Sequence, residues 1–169
     1  MRPIVLAGLL LVSSAGAAED FTINVETDDR NGVCLVAFPR DDEMKLEISV
    51  RAKDANLNLS VQNIPSEWID GHEDDSVPIT IKPDKGSAIA IPNGEYVAGF
   101  TYRVDGWGLK GDKAMSLLAA LKGGKSFTVE FGGHKVGAFQ IQQSTGPIKD
   151  YAYVAMHGCM ERNGGSTAF

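Results

Sequence analysis

Hydrophobic residues alternate with polar ones through most of the chain, and this alternation constrains the fold more than any other feature. Every second residue of "MKLEISV" (44–50) is apolar, and the period recurs in "FTINV" (21–25), "VPITI" (77–81) and "FTVEF" (127–131). Successive side chains of a strand point to opposite faces, so period two predicts strands that bury one face. Turn-forming stretches such as "KPDKG" and "PNG" separate them. We predict a mainly β, antiparallel domain, either a sandwich or a barrel-like fold.

The segment "YVAGFTYRV" (96–104) is also interpreted as part of this strand series. Its apolar residues are then expected to face the core, as those of the other strands do. The residues concerned are Tyr96, Phe100, Tyr102 and Val104.

Two segments depart from period two and predict two short helices. The first, "DKAMSLLAALKGG" (112–124), comes before the penultimate strand region and has Asp112 as the expected N-cap and two glycines at its end. Its expected buried stripe is Ala114, Leu117, Leu118 and Leu121.

The second helix is predicted at the C-terminal end, in "GPIKDYAYVAMHGC" (146–159). Pro147 suits a first helical turn, and apolar residues then recur at spacings of three and four. This spacing directs Cys159 toward the core. The expected stripe is Ile148, Tyr151, Ala152, Ala155 and Cys159.

The N-terminus has the layout of a secretory signal peptide. Arg2 is followed by a short apolar run and by the small residues Ala15-Gly16-Ala17, which fit a cleavage site. The run is too short to span a bilayer. We expect residues 1–18 to be removed, leaving one secreted β-rich domain over 19–169, with a periplasmic or secreted location and no membrane-spanning segment.

The chain has two cysteines, Cys34 and Cys159. Cys34 shares a strand face with Val36 and Phe38, so both cysteines are expected to point inward. In an oxidising compartment an even number of cysteines favours a disulfide. Two buried free thiols, or a chemical role for the sulfurs, are the alternatives.

The charge of the chain disfavours nucleic acid as a partner. Its formal net charge is −6, whereas nucleic-acid-binding surfaces are basic. Acidic residues cluster in "DGHEDD" (70–75), interpreted as a loop, and two tryptophans could offer stacking surfaces. The resulting candidate binding residues are Trp68, Asp70, Glu73, Asp74, Asp75 and Trp107.

The stretch "GWGLKG" (106–111) matches the G-x-G-x-x-G pattern of dinucleotide-binding proteins. The strand before it alternates, whereas a parallel strand buried on both faces should be almost wholly apolar. Asp112 would also place a carboxylate where the pyrophosphate should bind. We interpret the glycines as a tight corner between a strand and a helix, and expect no cofactor.

No residue pattern typical of a catalytic or metal site is present. The three histidines are separated from one another, and the pair His157–Cys159 has no accompanying C-x-x-C or H-E-x-x-H motif. Nucleophile signatures such as G-x-S-x-G are also missing from the sequence. We therefore expect no catalytic residues and no metal ligands.

The order of these segments resembles a known group of proteins. An early cysteine in "NGVCLVAF" precedes paired strands, a tryptophan step in "PSEW", the helix end "LLAALKGG", the strand "SFTVEF" and a closing helix with the last cysteine. This order resembles the exported single-domain proteobacterial proteins of the invasion-associated locus B family. It is also similar to type VI secretion accessory proteins with the same cysteine-bracketed β layout.

This resemblance implies a periplasmic or surface β-domain without a cofactor, which functions in the envelope or in host association. The family's early and late cysteines correspond to Cys34 and Cys159, and its tryptophan step to Trp68. The closing helix departs from the family because it is bulkier, with two tyrosines.

The sequence accordingly predicts a non-enzymatic protein that binds an envelope component or contributes to host interaction, with another envelope or host protein as the expected partner. The first alternative is a proteinaceous inhibitor of a hydrolase such as lysozyme, because an acidic protein suits a basic target. The second is an enzyme that acts on the cell wall or on glycans.

Overall fold

The computed structural model describes residues 27–28, 32–72, 75–141 and 150–169. Within these ranges the chain folds into two antiparallel sheets and two short helices. The predicted mainly β, antiparallel fold is confirmed, and the two separate sheets make it sandwich-like. The predicted signal peptide (1–18) and the predicted strand at 21–25 lie outside the described residues.

The larger sheet has six strands, each antiparallel to its neighbours. Four of its strands follow one another in the chain, whereas the other two join this sheet after the chain has passed through the smaller sheet. In spatial order they are β1 (Thr27–Asp28), β2 (Val33–Pro39), β3 (Lys45–Arg51), β4 (Asn56–Gln62), β8 (Arg103–Leu109) and β7 (Asn93–Val97).

The smaller sheet has four strands, again all antiparallel. A 3-10 turn at Ser66–Trp68 lies on the path between the two sheets. In spatial order the strands are β10 (His134–Gln140), β9 (Ser126–Phe131), β5 (Ile79–Pro83) and β6 (Ile89–Ile91).

The apolar faces of both sheets and of both helices form one hydrophobic core. β3 shows why: Leu46, Ile48 and Val50 are fully buried, whereas the residues between them are not. The sheets approach closely at Gly106, where an added Cβ would lie 2.8 Å from Cδ1 of Ile79. A side chain at 106 would therefore require the buried Ile79 side chain to move.

The first helix, α1, spans Gly111–Ala119. Its predicted apolar stripe is confirmed, because Ala114, Leu117, Leu118 and the following Leu121 are fully buried. The predicted N-cap is wrong. Lys110 occupies that position without a side-chain cap, and Asp112 lies in the first turn. A carboxylate there still interacts favourably with the helix dipole.

The second helix, α2, spans Tyr151–Arg162. Its buried residues differ in part from the predicted stripe: Tyr151 is exposed and Ala155 is half-buried. Ala152 and Cys159 are buried as predicted. Met156 and Met160 are buried as well, because each lies four positions after a buried residue on the same face of the helix. Pro147 and Ile148 lie outside the described residues. The observed stripe is Ala152, Met156, Cys159 and Met160.

The segment predicted as a strand over 96–104 is two strands joined by a loop. β7 ends at Val97 and β8 begins at Arg103, and these two residues pair across the hairpin. Residues 98–102 form a five-residue connection, a usual hairpin loop length. Phe100 is therefore fully exposed instead of facing the core, and Tyr102 is 40% exposed.

Candidate functional site

The outward face of the six-stranded sheet carries an open cleft of about 400 Å³. This volume lies within the range of small-ligand sites, roughly 300–1,000 Å³. β3, β4 and β8 form its floor, and Thr101 of the hairpin loop contributes to its wall. Most side chains that line it are polar, because they occupy the solvent-facing positions of alternating strands.

A row of three polar side chains crosses the floor of the cleft. Glu47 on β3 pairs in register with Ser60 on β4, and Ser60 pairs with Asp105 on β8. Neighbouring strands lie about 4.8 Å apart, so paired side chains on the same face are close neighbours. The row places one carboxylate on each side of a central hydroxyl group.

Each carboxylate of the row is held by a cationic side chain on its own strand. Nζ of Lys45 lies 3.4 Å from Oε2 of Glu47, which also accepts a hydrogen bond from Nε2 of Gln62 at 3.1 Å. Nε of Arg103 donates to Oδ2 of Asp105 at 2.8 Å. One oxygen of each carboxylate is thereby fixed in position.

Two further oxygens of the row are buried without a hydrogen-bond partner among the described residues. They are Oγ of Ser60 and Oδ1 of Asp105. A buried polar atom without a partner costs about 1–3 kcal/mol, so such atoms mark places where a polar group can bind favourably. A third such atom, Oδ1 of Asn56, belongs to a residue that does not line the cleft.

Trp107 lines the cleft with 39% of its surface exposed. The β4–β8 register passes from Leu59–Gly106 to Leu57–Leu109, so β8 has one residue more than β4 in this interval. Such a bulge redirects side chains. It is accommodated by Gly108, whose φ is +79°, and it leaves the indole on the polar face.

The hairpin loop 98–102 presents aromatic side chains beside the cleft. Phe100 is fully exposed, and Thr101 of the same loop and Arg103 at the start of β8 line the cleft. Exposed aromatic side chains are frequent anchors in binding surfaces. Polar groups and exposed aromatic rings therefore occur together on this side of the molecule.

The structure does not bring the predicted binding residues into one surface. Trp68 is half-buried, its ring stacked on His134 at 4.5 Å between centroids and edge-on to Phe131 of β9. Trp68 thus packs beside the four-stranded sheet, whereas Trp107 lies on the six-stranded sheet.

The acidic loop 70–75 is described only in part. Asp70 and Asp75 are exposed, and Oδ2 of Asp75 lies 3.0 Å from Nδ1 of His72. Glu73 and Asp74 lie outside the described residues. Among the described residues no group of three histidine, cysteine, aspartate or glutamate side chains converges to hold a metal ion.

Cys34 and Cys159 form a disulfide that joins β2 to α2. Their Cα atoms are 5.8 Å apart, and both residues are buried. The disulfide interpretation of the two cysteines thus holds in the structure.

Each glycine of "GWGLKG" has a different structural role. Gly106 allows the close approach of the two sheets, Gly108 forms the bulge, and only Gly111 lies at the corner where α1 begins. β8 and β9, on either side of α1, belong to different sheets. The described chain therefore does not form here the βαβ unit of a dinucleotide site.

Trp107 was among the binding residues predicted from the sequence, whereas its neighbours in the cleft were not. Glu47, Ser60 and Asp105 stand at ordinary polar positions of their strands, and no local motif distinguishes them. The sequence does show polar side chains on three predicted strands, and these strands are neighbours in the folded sheet. Only the register between β4 and β8 shows that they form one row.

Comparison of the chain with protein-family models, with curated proteins and with solved structures finds no match. In the described part of the chain, neither helix is long and apolar enough to cross a membrane.

Proposed function

We propose that the chain is an exported, non-enzymatic binding protein that holds a component of the cell envelope in the cleft of its six-stranded sheet. The observation that carries this proposal is the cleft itself, in which Trp107 lies with paired polar side chains. Small-ligand sites combine a concave surface with a few convergent polar groups in this way.

Export to the periplasm or beyond the cell is supported by two features. The leader-like sequence of residues 1–18 is one, and the disulfide is the other, because disulfides persist in oxidising compartments. The resemblance to the invasion-associated locus B family, carried by the order of cysteines, strands and helices, fits the same location. We propose membership of that group on this order.

Binding is favoured over catalysis by the surroundings of the two carboxylates. Glycan hydrolysis requires one carboxyl group that donates a proton and a second that stays ionised. Glu47 and Asp105 are each paired with a cationic side chain on their own strand, so their surroundings do not divide these two roles between them. This arrangement suits two hydrogen-bond acceptors that position a ligand.

The test is co-sedimentation of the purified, oxidised protein with envelope fractions of the organism that encodes it. We expect retention, and we expect Trp107→Ala to lower it at least about tenfold, as loss of an aromatic anchor does. Tyr151→Ala is the matched control, because Tyr151 is 38% exposed against 39% for Trp107 but lies on α2. Absence of retention, or equal retention of both variants, contradicts the proposal. Release of glycan fragments would indicate an enzyme instead.

The exposed Phe100 favours a second candidate, an inhibitor of a hydrolase such as lysozyme. A protruding aromatic side chain can enter the substrate cleft of another protein, and an acidic protein associates faster with a basic one. Inhibition of lysozyme that weakens at high salt and is lost in Phe100→Ala would support this candidate. Unchanged lysozyme activity at a large excess of the protein would eliminate it.

A further inference from the structure

We infer, resting on the proposed function, that the ligand of the cleft is an uncharged saccharide. The argument starts from what the floor of the cleft offers. Its acceptors include the carboxylates of Glu47 and Asp105, and its donors include Arg103 and Gln62. A ligand that satisfies both kinds of group must donate and accept hydrogen bonds at closely spaced positions, as the hydroxyl groups of a sugar ring do.

The two unpartnered oxygens of the row strengthen this inference. Oδ1 of Asp105 accepts only, so it requires a donor such as a hydroxyl group, and Oγ of Ser60 accepts or donates. Both atoms are buried. The Asp105 carboxylate can turn about χ2, a soft torsion, and because this turn moves both oxygens, it exchanges the hydrogen bond from Arg103 for one from the ligand. A sugar hydroxyl then supplies the missing hydrogen bond.

The carboxylates in the lining of the cleft disfavour a strongly anionic ligand. The lining holds Glu47 and Asp105 and one cationic side chain, Arg103, which is already bonded to Asp105. Lys45, outside the lining, is likewise already paired with Glu47. A phosphate or uronate group would lie next to these carboxylates, and such like-charge contacts are unfavourable. A neutral sugar avoids this repulsion and keeps both acceptors in use.

Trp107 completes the arrangement. The face of its indole ring offers an apolar, electron-rich surface, against which the C–H groups of a sugar ring can pack while the hydroxyl groups bond to the floor. An apolar peptide anchor fits less well because few lining side chains of the cleft are apolar.

The first experiment identifies the class of ligand on the envelope fraction itself. Aliquots of the fraction that retains the protein are treated with periodate, which cleaves vicinal diols of sugars, with protease, or with organic solvent that extracts lipid. We expect only periodate to abolish retention. Loss after protease or solvent, with retention after periodate, overturns the inference but leaves the proposed binding function intact. Absence of retention before any treatment contradicts the binding function itself.

The second experiment tests the charge and the site. Glycans released from the fraction are separated by anion exchange into a neutral and an acidic pool, and each pool is titrated against the protein by tryptophan fluorescence and calorimetry. We expect the neutral pool to bind and Asp105→Asn to weaken it at least about tenfold, as loss of a hydrogen bond to a charged group does. Glu130→Gln, on an exposed position of β9, serves as the control. Tighter binding of the acidic pool, or equal binding by both variants, overturns the inference.

Discussion

Oδ1 of Asp84, in the turn after β5, accepts a hydrogen bond from the backbone N–H of Lys125 at 2.8 Å, immediately before β9 begins. The backbone N–H of Ser126 donates to the same oxygen at 3.4 Å. These bonds, chiefly the one from Lys125, lower the pKa of Asp84 below its ordinary value of 3.8, with a smaller contribution from the charge of Lys85. Burial opposes them only in part. The ionised carboxylate therefore fastens two adjacent strands of the smaller sheet.

This relationship predicts how acid affects stability. A carboxyl group with a lowered pKa in the folded state stabilises the protein above its unfolded pKa, and that contribution is lost as the pH falls through the folded value. Asp84→Asn should therefore unfold at a lower urea concentration than the wild type at pH 7, with a difference that shrinks below about pH 4. Asp41→Asn, in the exposed turn between β2 and β3, is the control. A difference that does not change with pH would contradict this account.

Tyr96 predicts a loss of stability in alkali. Burial, and to a smaller extent the charge of Asp75, raises the pKa of Tyr96 above its ordinary value of 10.0. The unfolded chain then loses the phenolic proton at a lower pH than the folded protein. Stability is fully present below about pH 10 and declines above it. Urea unfolding of the wild type and of Tyr96→Phe between pH 8 and 11 should show a steeper decline in the wild type. Tyr102→Phe, at an exposed position, should leave the slope unchanged.

The bulge at Gly108 predicts a specific cost for a side chain. An added Cβ meets only Nδ2 of Asn93, at 3.6 Å, so space is not limiting. The φ of +79° is unfavourable for other residues, and Gly108→Ala should lower the free energy of unfolding by about 1–2 kcal/mol. Gly108→Asn should cost less, because asparagine tolerates this conformation better.

Gly99→Ala is the matched control for the bulge. Nothing lies within 4 Å of a Cβ at Gly99, and its φ is not positive. We expect almost no change in its denaturation curve. An equal effect of Gly99→Ala and Gly108→Ala would show that the bulge does not depend on glycine.

The disulfide predicts a large dependence of stability on oxidation. In the loop-entropy model, a bond between residues separated by 125 positions contributes about 5 kcal/mol. The free energy of unfolding, measured by urea denaturation, should fall by up to that amount in the double variant Cys34→Ala, Cys159→Ala. The reduced wild type should show the same decrease. Thiol titration of the denatured, unreduced protein should detect no free thiol. Coincident denaturation curves for the oxidised and reduced protein would contradict the prediction.

The sequence predicts the fold class well because its signals are local. Period two in "MKLEISV" and the four-residue spacing of Ala114 and Leu118 depend on neighbours within one element, and each determines which face is buried. The same local reasoning fails over residues 96–104, where apolar residues in a loop imitate a strand. Tyr151 was misplaced for a similar reason, since the start of a helix was inferred from residues that precede it.

The cleft could not be predicted in the same way. Its row joins Glu47, Ser60 and Asp105, and the pairing of β4 with β8 depends on how the intervening strands enter the other sheet. A shift of one residue in that pairing would turn the side chains of β8 to the other face. The exposure of Trp107 also depends on the bulge, which is a property of two paired strands rather than of either one.

The position of the disulfide in the chain has a consequence for biosynthesis. Cys159 follows every described strand in the sequence, whereas β2, β3 and β4 pair with close neighbours and can assemble early. A polypeptide truncated before α2 could therefore form these hairpins but would keep Cys34 as a free thiol. The bond thus forms only in chains synthesised as far as Cys159, and a thiol-reactive reagent can distinguish these from chains interrupted earlier.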